Sequence, residues 1–367
     1  MAAASSGGGQ SGQFRCVSPF ALESGAVIET PTIAYRSWGV LNSRRDNAIL
    51  ICHALTGSDD VDHWWPGMIG SGRALDPARD FLLCTNVLGS CYGTTGPASI
   101  NPVTGQRYGS RFPAVSVGDM VELERQLLDA MGIERLALVI GGSLGGMQAL
   151  VWGTRAGYRV RALAVIASTD RQPAWAFACS AAQRMAIMAD PRWRGGDFPE
   201  DDPPVGGLEA ARAMAMLSYR HWGDLGARFG RRREQGEFEV IRWLAHHGAS
   251  LARRFDAGSY VTLTRAMDAH DLNRPRPATP GGWPPADFPP TLVIGITSDL
   301  LYPPEEQVRL ASSLPGAELA WLDSPHGHDA FLIETEALDR LIYAFRARSG
   351  DRDRRSLQGE THHAIPE

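Results

Sequence analysis

The stretch Leu138-Val139-Ile140-Gly141-Gly142-Ser143-Leu144-Gly145-Gly146-Met147 limits the possible folds of this chain more than any other. Branched apolar residues suited to a buried strand run into glycines around one serine, and helix-forming residues follow directly. A Gly-x-Ser-x-Gly turn in that setting forms a nucleophile elbow, with the serine held in a strained conformation between strand and helix. The small neighbours let strand and helix approach without Cβ clashes. Ser143 Oγ would then stand clear of the backbone at a helix N-terminus, where the Leu144 amide and the helix dipole favour a developing oxyanion.

Apolar runs bounded by turn residues predict further buried strands of a mainly parallel sheet at Ala48–His53, Phe81–Thr85, Leu136–Gly141, Ala162–Ala167, Leu292–Ile296 and Leu319–Leu322. Helical patterns alternate with them at Val117–Met131, Gly145–Gly153, Pro304–Leu314 and Ala337–Ala347. That alternation implies an α/β sandwich. The rhythm breaks between Thr169 and Pro290. There, helical stretches at Gln183–Ala189, Leu208–Tyr219, Phe238–Arg254 and Thr262–His270 are joined by Pro/Gly-rich segments, with no strand-length apolar run. The expected organisation is a core of residues 15–168 and 291–347, a helical lid over 169–290, and flexible ends at 1–14 and 348–367.

A serine hydroxyl needs a positioned base. In the α/β-hydrolase fold, a mainly parallel sheet flanked by helices, the chain order is nucleophile, acid, histidine. Asp299 follows the Leu292–Ile296 run, and His328 follows the next one, with room between them for the required helix and strand. His326, two residues before His328, is the competing base, and Asp323 a competing acid. His328 is preferred because it opens the next helix, and Asp299 because Asp323 precedes the histidine loop on the same strand. The second oxyanion donor in this fold comes from the loop after an earlier strand, here Cys52-His53-Ala54-Leu55-Thr56-Gly57, which points to the Leu55 N–H. His53 reads as a hydrogen-bonded loop residue.

Several segments resemble the homoserine O-acetyltransferase family: Cys52 to Gly57, Trp64-Trp65-Pro66-Gly67-Met68-Ile69-Gly70, Asn86-Val87-Leu88-Gly89, Tyr92-Gly93-Thr94-Thr95-Gly96-Pro97, Gly141 to Leu150, Arg265-Ala266-Met267-Asp268 and His326 to Leu332. The resemblance spans about residues 15 to 345 and selects His328 over His326. It implies that Ser143 takes acetyl from acetyl-CoA and passes it to the hydroxyl of homoserine, a ping-pong step in methionine biosynthesis. It also implies that Arg212 grips the substrate carboxylate with Tyr219 beside it, and that Asp329 pairs with the substrate ammonium. Arg212 and Tyr219 are seven residues apart on one predicted helix, hence on one face; Asp329 also reads as a helix N-cap. The family's habit implies a homodimer. The stretches Ser58–His63, His221–Gly223, Ile241–Trp243 and His246–Gly248 depart from the family pattern, so a succinyl-CoA donor, an L-serine acceptor or an esterase running the same triad are the alternatives.

Composition narrows the remaining classes. A net charge of -5 on 367 residues argues against nucleic acid or an anionic membrane as the main partner. No apolar run approaches the ~18 residues of a bilayer span. Five cysteines without a CxxC pair fit reduced thiols and a cytoplasmic setting. No metal site and no permanently bound cofactor is expected; His246-His247 and His362-His363 read as solvated.

Overall fold

The computed structural model describes residues 8–274 and 283–360. Its centre is a sheet of eight strands: β1 (Gln10–Arg15), β2 (Thr32–Trp38), β3 (Ala48–Cys52), β4 (Phe81–Thr85), β5 (Leu136–Gly142), β6 (Leu163–Ile166), β7 (Thr291–Ile296) and β8 (Glu318–Leu322). Their order is β1-β2-β4-β3-β5-β6-β7-β8. β1 pairs antiparallel with β2, and β2 antiparallel with β4; every other neighbour is parallel. The central strands are buried on both faces, which is why they are continuous apolar runs. Within β3 the side chains still alternate: Ala48, Leu50 and Cys52 enter one core, Ile49 and Ile51 the other.

Helices cover both faces. α1 (Val117–Ala130) begins with a capping box, in which the Ser116 side chain accepts from the Asp119 amide and the Asp119 carboxylate accepts from the Ser116 amide. α2 (Leu144–Ala156) follows the elbow. Between β6 and β7, which lie side by side, the chain inserts α3 (Ala174–Ala189), α4 (Val205–Tyr219), α5 (Trp222–Phe229), α6 (Glu239–Ala252) and α7 (Ala257–Asp268). α4 packs between α3 and α6. α8 (Pro304–Ser313) connects β7 to β8, and α9 (Thr335–Glu360) ends the described chain.

Several sequence expectations change. The N-terminal segment, expected to be flexible through residue 14, enters the sheet at Gln10, where the β2 backbone gives it partners that its composition does not advertise. β1 and β2 were not predicted. α3 starts nine residues before the predicted Gln183, and α5 was not foreseen. A short hairpin, Arg233–Glu234 with Glu237–Phe238, precedes α6 and overlaps the predicted helix Phe238–Arg254 at Phe238 alone. The final helix continues past residue 347 to Glu360, into the stretch expected to be a flexible tail. Residues 1–7 and 361–367, with His362-His363, lie outside the described residues, as do residues 275–282 of the Pro-rich joint. Among the described residues, no helix is long and apolar enough to cross a membrane.

Candidate active site

The elbow places Ser143 at the carboxyl end of β5 with φ 55° and ψ -120°, a conformation non-glycine residues rarely adopt. Tight packing enforces it. A Cβ on Gly145 would collide with the Cys52 carbonyl oxygen, and one on Gly141 with the Gly145 backbone. A side chain on Gly142 would meet the Phe331 ring, and one on Gly146 the Ser168 side chain. The serine amide donates to the Ile166 carbonyl at 2.9 Å, and the Ser168 hydroxyl donates to the Ser143 carbonyl at 2.7 Å. The Ser143 side chain makes no capping bond to the helix it opens, so its hydroxyl is not committed to the backbone.

Asp299 lies just beyond β7 and His328 in the loop after β8. His328 Nδ1–H donates to Asp299 Oδ2 at 2.7 Å, and both groups are buried. The other carboxylate oxygen accepts from the Leu301 and Tyr302 amides at 2.7 and 3.0 Å, which fixes the acid in place. With the proton on Nδ1, Nε2 is the basic nitrogen. Burial alone lowers the imidazole pKa, but the charge and hydrogen bond of Asp299, with the charge of Asp329, outweigh it and leave His328 above the usual histidine value. Tyr219, Tyr302 and Phe331 surround the ring at centroid distances of 5.6, 5.5 and 5.6 Å. Phe331 also lies against Gly142, so one aromatic ring joins the imidazole to the elbow. Among the described residues no hydrogen bond joins Ser143 Oγ to the imidazole; such bonds are often long in the free enzyme and tighten with substrate.

The competing residues are engaged elsewhere. Asp323 accepts from the Thr297 hydroxyl at 2.9 Å. His326 Nδ1 meets Asp224 at 3.2 Å rather than Asp299. His53 is fully buried, donates from Nδ1 to the Ala54 carbonyl at 2.8 Å and accepts from the Val87 amide at 3.3 Å. Burial pushes its pKa down to about 4, so it is a neutral loop residue, as expected. Among the described residues, neither the Leu55 nor the Leu144 amide has a hydrogen-bond partner, which leaves both donors available.

Arg212 and Tyr219 share one face of α4, with the guanidinium 5.4 Å from the ring centroid. Arg212 is half-buried and has no ion-pair partner among the described residues. Burial pushes the Tyr219 hydroxyl up to about 12, against the lowering pull of Arg212. Asp329 does not cap the helix it precedes. Its carboxylate is drawn instead to Arg220 Nε, 3.1 Å away. The expectation of a solvated His246-His247 pair also fails for His247: it packs on Trp243 at 4.6 Å, and burial with nearby arginines lowers its pKa to about 4. Sequence reasoning gave no role to Arg220, Asp224, Tyr302 or Phe331. Arg220 sits at the end of α4, where helical periodicity stops pointing to a face. The acidic loop Ser58–His63 is tied to β2, with Asp60 paired to Arg36 and Asp62 accepting from the Trp38 indole at 2.9 Å.

The fold and this site define an α/β-hydrolase, and residues 47–335 match the family model described as alpha/beta hydrolase fold. The homoserine O-acetyltransferase of Trichormus variabilis (strain ATCC 29413 / PCC 7937) is 50% identical over 338 residues, covering 89% of this chain and 91% of its own. That of Chlorobium luteolum (strain DSM 273 / BCRC 81028 / 2530) is 50% identical over 331 residues, with 89% and 91% covered. Among solved structures, the homoserine O-acetyltransferase from Bacillus anthracis superposes with a TM-score of 0.83 at 25% identity, covering 92% of this chain and 97% of that one. An acetylester hydrolase from Corynebacterium glutamicum gives 0.81 at 25% identity, covering 92% and 96%. The chain belongs to the homoserine O-acetyltransferase family.

Proposed function

We propose that this chain transfers an acetyl group from acetyl-CoA to the hydroxyl of L-homoserine through an acyl-serine intermediate, as a cytoplasmic enzyme of methionine biosynthesis with no permanently bound cofactor. The observation that carries this reading is the buried Asp299–His328 pair, 2.7 Å apart, set by the Phe331 ring against an elbow whose serine hydroxyl is uncommitted. Ser143 Oγ attacks the thioester carbonyl while His328 Nε2 takes its proton. The oxyanion receives the Leu144 and Leu55 amides. The C–S bond breaks, the proton passes to the sulfur, and CoA leaves. The acceptor hydroxyl then attacks the acyl-serine as His328 takes its proton, and that proton returns to Ser143 Oγ. Asp299 holds the imidazole tautomer and balances the imidazolium without itself accepting the proton.

Arg212, half-buried and without an ion-pair partner among the described residues, suits the acceptor carboxylate because a guanidinium fork donates two parallel hydrogen bonds. Tyr219 closes the same side, and Asp329 offers its carboxylate to the acceptor ammonium. Family membership and a lid large enough to shield an acyl-enzyme from water favour transfer over hydrolysis. Hydrolysis is the second reading, supported by the similarity of fold to an acetylester hydrolase. The test is steady-state turnover of acetyl-CoA and succinyl-CoA with homoserine, serine or water alone, together with mass spectrometry of the trapped enzyme. Ester formation should exceed acetate release at saturating homoserine, and Ser143→Ala should lose both the acylated species and turnover. Predominant acetate release would make the chain an esterase, and an acylated Ser143→Ala would mean another nucleophile.

A further inference from the structure

Outside the triad, a largely buried charged cluster near the base joins the lid to the histidine loop. Arg220 follows α4 and its side chain is only 12% exposed. Its Nε lies 3.1 Å from Asp329, the residue after the base, and its Nη1 lies 3.6 Å from Asp224 at the start of α5. The guanidinium also sits 5.9 Å above the Trp243 ring of α6. Asp224 in turn reaches His326 Nδ1 at 3.2 Å. Backbone contact seals the same seam: Gly327, at φ 69°, lies so close that a Cβ there would be 2.7 Å from the Tyr219 carbonyl oxygen and the His221 amide. The Arg220–Asp329 ion pair and the Asp224–His326 contact thus tie residues 220–224 of the lid to residues 326–329 of the catalytic loop.

We propose that Arg220 is a positioning residue for the base: held between Asp224 and Asp329, it offsets part of the charge of the carboxylate adjoining His328 and keeps the imidazole ready to accept the serine proton at neutral pH. The inference rests on His328 being the base. The imidazole faces Asp299 and Tyr302 from the loop after β7, Tyr219 from α4, and Asp329 from its own loop. Two of these are carboxylates, and a second negative charge beside a buried imidazole favours the protonated ring, which cannot act as a base. Arg220 faces Asp224, Asp329 and Trp243, and its charge also reaches His247 on α6. Among the described residues its Nε–H is not aligned on any acceptor, although the ion pair is short. The contact therefore acts through charge more than through a directed hydrogen bond.

The experiment follows acyl-enzyme formation from a chromogenic acetate ester across about pH 5 to about pH 9, the span over which a histidine base titrates. In Arg220→Gln the acid limb of the rate profile should move up by about one pH unit, giving about a tenfold loss on the acid side and a much smaller one in alkali. Arg220→Lys, which keeps the charge, should leave the limb within a few tenths of a unit of the wild type. Adding Asp329→Asn to Arg220→Gln should bring it back down. An unmoved limb, a loss equal at every pH, or a limb that Asp329→Asn fails to restore would each overturn the proposal. Burst formation surviving in Ser143→Ala would instead overturn the nucleophile assignment, so the two failures are distinguishable.

Discussion

At Gly145 the fold leaves no room for a side chain, because the first atom added would collide with the carbonyl of Cys52 on the neighbouring strand. Both partners are backbone, so neither can yield by changing rotamer. Gly145→Ala should therefore cost about 3 kcal/mol or more of stability, read as a lower denaturation midpoint, and should remove activity by displacing Ser143. The glycines were readable in the sequence because the close approach they permit is local. Asp329 shows the opposite case. Its place before Ala330 suggested a helix cap, and the structure gives the carboxylate to Arg220, distant in sequence. An acidic residue near a helix start has a local option and a long-range one, and only the folded geometry chooses.

A buried carboxylate on α1 gives a prediction at the level of the element. Glu124 points into the core between α1, β4 and α2, accepting from the Thr85 hydroxyl at 2.9 Å and the Trp152 indole at 2.7 Å. Burial raises its pKa to about 7, against the pull of those two donors. The folded state therefore holds a proton that the unfolded chain releases above about 4.5. This contribution is fully present below that pH and is lost as the pH rises through about 7. Unfolding in denaturant at several pH values should show wild-type stability falling across that window by about 2–3 kcal/mol relative to Glu124→Gln, which lacks the titration. A parallel pH dependence in the two proteins would contradict it. Strands were legible where both faces are buried, as in Ala48–Cys52, because a continuous apolar run has few other uses. β1, with its Gln, Ser and Gly, is an edge strand specified mainly by backbone pairing, and no side-chain pattern announces it.

For the whole molecule, the lid carries apolar side chains that the single chain does not cover. Met185 on α3, Leu217 on α4 and Trp222 at the start of α5 are each more than half exposed, and Met214 is nearly so. Contiguous exposed apolar groups are the usual mark of association surfaces in proteins. With the homodimer implied by the family's habit, Met185→Asp combined with Leu217→Asp should convert a dimer to a monomer in sedimentation. A wild-type monomer at micromolar concentration would remove the basis for that surface.

What the sequence determined by itself was the strained serine turn, the alternating strand and helix plan, and the order of Ser143, Asp299 and His328 along the chain. Each depends on contacts close along the chain or on a periodicity that burial imposes. Tertiary structure decided which donors stay unpaired at the oxyanion loop, which aromatic rings enclose His328, and which cation Asp329 faces. Several of those outcomes follow from segments far apart in sequence meeting at one sheet edge, as when the Tyr219 ring reaches His328 or the Trp65 indole reaches the Phe331 carbonyl across 266 positions. No local preference records such a meeting, because its free energy exists only after the chain has closed around it.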